Sequence, residues 1–238
     1  MMQRDANEID RVLLSKILDD MDVHLMNPNA ICAIGGTALM LLGFKTASMD
    51  VDLIPLGNKN EIESAISSTI DNARHGKIAV TITENGAIKE KFPVKRNLVI
   101  QTFGSKLPLE KSGEFLILPG DFTEHMHLVK SVPWILPEGG KKINIATKKK
   151  FHNLKIYALG PADLICTKIF MPRQKDVEDI EGLFSKINVS MRYFGSKKKL
   201  FLERFLKFFY TNEKNTKVAI SGLKFYISPK TYRRDFLA

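Results

Sequence analysis

Residues Ile31-Cys32-Ala33-Ile34 form a short apolar run that stops at Gly35-Gly36, and Thr37 to Leu42 resumes as a short helical segment. Four apolar residues bounded by glycine suit a buried strand. Paired glycines let the backbone turn sharply and approach a neighbour closely, because no Cβ stands in the way. A strand, a tight turn and a short helix are therefore expected in that order. Met49 to Ile54 then alternates acidic and apolar residues and is closed by Pro55 and Gly57, which predicts a second strand over 49–54.

Similar rules place the other elements. Ile9, Val12, Leu13, Ile17 and Met21 recur at helical spacing and predict an amphipathic helix over 8–21. A helix is expected over 60–72 with Asn58 or Asn60 as its cap, and strands over 77–83, 98–103, 114–118 and 154–159. Gly160-Pro161 marks a change, since proline suits the first position of a helix. Helices are expected over 162–171, 176–186 and 198–210, and a late hairpin over 217–228. The chain reads as α/β in two lobes: residues 1–159 mix strands and helices, and 160–238 form a mainly helical lobe.

The 36 basic and 26 acidic side chains leave a formal net charge of +10, unevenly placed. The last 53 residues hold 13 basic and 3 acidic side chains, so they carry the whole excess and the first 185 sum to zero. A basic end on a neutral body is the pattern of a face that meets a polyanion, which makes RNA the expected partner. A solvated lysine-rich surface is the plainer alternative. Phe201, Phe205, Phe208 and Phe209 recur there at helical spacing and are expected in a core rather than under stacked bases. Cys32 and Cys166, both in apolar surroundings, do not make a disulfide framework. The polar N-terminal segment carries no secretory signal. The longest apolar stretch, 30–44, is shorter than the roughly 18–20 residues of a membrane span. A cytoplasmic protein without a membrane is expected.

Chemistry concentrates at two places. The amides of a Gly35-Gly36-Thr37 turn suit an anion such as phosphate. In Asp50-Val51-Asp52 the two carboxylates project from one side of a strand while Val51 and Leu53 point to the core. Like charges at that spacing repel unless a cation lies between them, and Mg²⁺ prefers such oxygen ligands. An exposed strand edge with acids facing water is the plainer reading of the pair alone. The two elements together, the turn 14 residues before the acids, can hold a nucleoside triphosphate by its phosphates and its metal.

Ile34-Gly35-Gly36-Thr37-Ala38-Leu39, followed by Lys45-Thr46-Ala47-Ser48-Met49-Asp50-Val51-Asp52-Leu53, resembles the signature of the minimal nucleotidyltransferase superfamily. Within it the chain looks most like the AbiE-type toxins and related stand-alone proteins. Pro161 to Lys168 and then Arg173-Gln174-Lys175-Asp176-Val177-Glu178-Asp179-Ile180 is similar to that branch's helical motif, in which a lysine and an R-x-x-D-x-x-D run face the nucleotide. The resemblance implies a polymerase-β-like mixed sheet flanked by helices. It implies that Gly35, Gly36 and Thr37 hold the triphosphate, with Lys45, Ser48 and Arg173 as further nucleotide contacts. Asp50 and Asp52 would carry Mg²⁺, Lys168 would neutralise phosphate charge, and Asp176 would orient the site or act as a base. The residues themselves say that Pro172 ends the helix of Lys168, that Asp176 caps or opens the next, and that Asp176 and Asp179 share a face.

One position departs from the pattern. Family members carry a third carboxylate on a later strand, and in Leu98-Val99-Ile100-Gln101-Thr102-Phe103 the corresponding residue is Gln101. An amide cannot act as a general base and is a poorer metal ligand; Glu84, Glu90 and Glu114 stand on or near other candidate strands. Three functions stay open. The first is transfer of a nucleoside monophosphate from a triphosphate to an acceptor, with RNA such as a transfer RNA end foremost. The second is a catalytically reduced module that binds nucleotide or RNA. The third is nucleotidylation of a small molecule such as an antibiotic. The AbiE likeness also implies an antitoxin protein as partner.

Overall fold

The computed structural model describes residues 8–84, 87–93, 97–108, 115–129, 151–169, 176, 178–180 and 183. They fall into two compact units, drawn from Met1–Phe103 with His127–Ala158 and from Gly104–Met126 with Leu159–Ala238. The helix expected over 198–210, the hairpin over 217–228, the basic end and Arg173 lie outside the described residues.

The first unit runs β1 (Ile9–Asp10), α1 (Arg11–His24), β2 (Asn29–Ala33), α2 (Gly35–Leu41), β3 (Ala47–Ser48), β4 (Val51–Pro55), α3 (Lys59–Arg74), β5 (Ala79–Glu84), β6 (Ala87–Pro93) and β7 (Ile100–Thr102). The second contributes β8 (Lys106–Pro108) and β9 (Phe115–Ile117), after which β10 (His127–Leu128) and β11 (Leu154–Ala158) return to the first. The central sheet has five strands in the order β10-β11-β2-β4-β7. β11 with β2 and β4 with β7 are parallel, and the other two pairs are antiparallel. This is the mixed α/β architecture the sequence predicts.

Local chemistry sets the helix starts. Asp10 accepts the Leu13 amide at 2.9 Å and caps α1, so the helix begins after it rather than at residue 8. Ile9 is drawn instead into pairing with Ser48. Asn58 caps α3 by accepting the Glu61 amide at 3.3 Å, which settles the choice between the two asparagines. The Glu61 carboxylate in turn accepts the amides of Met26 (2.8 Å) and Asn27 (2.9 Å). The Asn27 amide leads the contacts that hold its pKa below the ordinary carboxylate value. Along α1, Leu14, Ile17, Leu18 and Met21 are fully buried, the stripe expected of a core-facing helix. β2 is mostly buried because it has strands on both sides.

A buried carboxylate registers the sheet against α1. Asp22, 5% exposed, accepts the amides of His152 (2.8 Å), Asn153 (2.8 Å) and Leu154 (2.7 Å). Those three donors sit at the start of β11, so Asp22 decides where that strand begins. Replacing Asp22 with alanine should destabilise the protein by roughly 2–4 kcal/mol, because amides lose their acceptor where water reaches them poorly. Urea unfolding of D22A beside D22N, which keeps one acceptor oxygen, checks this; equal stability of D22A and wild type would refute it.

In the second unit β8 pairs antiparallel with β9, a 3-10 turn spans Phe122–His125, and α4 covers Pro161–Ile169 with the proline at its first position. No helix among the described residues is long and apolar enough to cross a membrane.

Candidate functional site

The glycine turn and the two acids meet at one end of the central sheet. The Ile34 amide donates to the Asp52 carbonyl at 3.0 Å, holding the end of β2 against β4. Gly35 then takes a φ of +55°, in the left-handed region that L side chains avoid. A Cβ there would lie 2.8 Å from Asp52 Oδ2. The helix starts at Gly35 itself rather than at Thr37. At Gly36 a Cβ would run into Ser48 Oγ, and that hydroxyl lies 3.4 Å from Asp50 Oδ1, to which it donates. Each glycine is thus an opening through which one strand residue reaches the turn.

Thr37, fully buried, joins both acids through the backbone. Its hydroxyl accepts the Asp52 amide at 3.0 Å and donates to the Asp50 carbonyl at 3.4 Å. This side chain ties α2 to the acidic strand. Thr37→Val should cost about 1–3 kcal/mol, the desolvation penalty of the amide and carbonyl left behind, whereas Thr37→Ser should retain most of it. Thermal melting of the two variants distinguishes them; a valine variant as stable as the serine one would refute the assignment.

Val51 and Leu53 are fully buried while Asp50 and Asp52 are half-buried, so the predicted alternation holds. β4 and β7 pair in parallel with Asp52 opposite Gln101, which puts Gln101 directly beside Asp52. Gln101 is exposed, as are Val99 (44%) and Met49 (49%).

Lys45 and Ser48 lie on the segment that leads from α2 into the acids. The Lys45 carbonyl accepts Arg11 Nη2 at 2.9 Å. Arg11 is 7% exposed, and burial pulls its pKa below the ordinary arginine value. Sequence reading gives Arg11 no role: a charged residue in the first turn of an amphipathic helix reads as solvated, whereas the fold brings the Lys45 carbonyl against its guanidinium.

Lys168 and Asp176 belong to the second unit and form a cluster there with Asp179. Lys168 Nζ lies 2.6 Å from Asp176 Oδ1 and 2.9 Å from Asp179 Oδ2. The three side chains are 9%, 6% and 11% exposed. The two aspartates do share a face, as their spacing predicts, and that face grips the lysine.

A family model described as a nucleotidyltransferase of unknown function (DUF6036) matches residues 12–192, a span that includes the glycine turn, both aspartates, Gln101 and the Lys168 cluster. No curated protein and no solved structure matches the chain.

Proposed function

The chain belongs to this family of nucleotidyltransferases, and on that premise we propose that it moves a nucleoside monophosphate from a nucleoside triphosphate to an acceptor, RNA foremost, at the Gly35/Asp52 site. One observation carries the reading. The turn suited to phosphate and the acids suited to a cation are in contact, with Gly35 so close to Asp52 Oδ2 that no side chain fits between them.

The donor set suits Mg²⁺, because two carboxylates at a surface supply hard oxygens and leave coordination positions for water and phosphate. When bound, Mg²⁺ would neutralise phosphate charge as the acceptor oxygen bonds to the α-phosphorus and the bond to the β-phosphate breaks, with pyrophosphate leaving. Asp50 and Asp52 would hold it. The amides of residues 35–37 would orient the triphosphate, while Thr37 and Ser48 keep turn and acids at a fixed spacing. Such positioning accounts for much of the catalysis in phosphoryl transfer.

RNA as acceptor is supported by the last 53 residues, with 13 basic and 3 acidic side chains. Likeness to the AbiE-type toxins, and with it a neutralising antitoxin and a cytoplasmic setting, belongs to the same reading. Purified protein given Mg²⁺, labelled nucleoside triphosphates and RNA should label the RNA. That labelling should fall by at least about tenfold between roughly 50 and 200 mM salt, since several lysine–phosphate contacts release counterions. Labelling that ignores salt would shift the acceptor to a small molecule. A second reading, a module that binds nucleotide without transferring it, is favoured by Gln101 beside Asp52; absence of label on every acceptor together with Mg²⁺-dependent nucleotide binding would select it.

A further inference from the structure

We propose that the Asp50/Asp52 site holds one divalent cation and that Gln101 is the residue that limits it to one; this rests on the function proposed above. In β4 and β7 the register sets Asp52 beside Gln101 and Val51 beside Ile100. Leu98 and Ile100 are buried, while Val99 and Gln101 are exposed. Side chains alternate along a strand, so Val99 and Gln101 share the face of the two acids, and the Val51 amide bonded to the Val99 carbonyl at 3.0 Å extends the pairing toward Asp50. Among the described residues, these two strands and the residues just before them offer two carboxylates, Asp50 and Asp52, with Gln101 and Val99 beside them.

Two carboxylates match the charge of one divalent ion. A second ion, about 3.5–4 Å from the first in two-metal sites, needs further anionic oxygen between or beside the pair. The place on the neighbouring strand closest to Asp52 holds an amide instead. A glutamine carbonyl can complete a coordination shell but brings no charge, and its NH₂ group is a donor. Gln101 therefore offers hydrogen bonds to phosphate or to the acceptor hydroxyl where a carboxylate would hold a second cation.

Manganese binding to the full chain tests this, counted by titration calorimetry and by loss of the free-ion resonance. The group Asp121, Glu124 and His125, whose ligand atoms lie within 4.8 Å of one another, offers a cation ligands of its own. Ions are therefore counted as the difference from one common reference, Asp50→Asn with Asp52→Asn, in which Gln101 is kept. The expected difference is one for wild type and two for Gln101→Glu. Gln101 is exposed, so the substitution should leave the fold intact, with melting lowered slightly by repulsion from Asp52 and restored by manganese, and Gln101→Asp supplies the same charge as a second variant. A wild-type difference of two, or a difference of one in both carboxylate variants, overturns the single-ion proposal alone. A wild-type difference of zero overturns it together with the function beneath it.

Discussion

Asp52→Asn should reduce nucleotide transfer at least about a hundredfold while leaving the fold intact. Substitutions in the outer shell of a metal site already cost about 10–100-fold, and Asp52 would be a direct ligand. The structure makes the change unusually clean. Thr37 bonds the Asp52 backbone amide and Ile34 bonds its carbonyl, and both contacts survive the substitution because they use the backbone. Asparagine has nearly the same size, fits the same opening above Gly35, and removes only charge and ligand strength. Asp50→Asn should behave alike, with the weaker Ser48 contact at 3.4 Å retained. Transfer assays paired with thermal melting separate the alternatives. Unchanged transfer in either variant would refute the proposed function, and a melting shift as large as that of a core mutant would move these acids to a structural role.

Lys168→Met should destabilise the protein by about 3–5 kcal/mol, the usual cost of removing one partner from a buried ion pair. Here two carboxylates lose a buried cation partner: Asp176 and Asp179 lie 2.6 and 2.9 Å from Nζ and are each about a tenth exposed or less. Neutralising the acids at the same time, as Lys168→Met with Asp176→Asn and Asp179→Asn, should recover most of that loss. A cycle of this kind tells the ion cluster apart from a lysine held ready for phosphate. In the second case Lys168→Met would abolish transfer with little change in denaturation midpoint, and the triple variant would recover nothing.

The glycine turn and the acidic strand were legible because their causes are local. A glycine pair has no Cβ wherever it is placed, and a strand in which acids alternate with apolar residues presents two faces without instruction from elsewhere. The same holds for Pro161 at the head of α4 and for the Asn58 cap. The one-sided pairing of Asp176 and Asp179 also follows from helical spacing, although not what they grip. β1, β6 and β8 were missed for the opposite reason. β1 is two residues long and is a strand only because Ala47–Ser48 lies beside it, and β6 and β8 exist as partners of β5 and β9.

Sequence alone determined which residue types stand at the proposed site: two acids with an apolar residue between them, two glycines ahead of them, and an amide on a later strand. Tertiary structure decided what each touches. Asp22 meets the start of β11 across 130 residues of chain, Arg11 meets a carbonyl 34 residues away, and Thr37 binds strand backbone. Gln101 stands beside Asp52 only because β4 and β7 are parallel and in one particular register. A side chain's type limits the bonds it can form, but which bonds form depends on what the folded backbone brings within about 3 Å, and distance along the chain does not specify that.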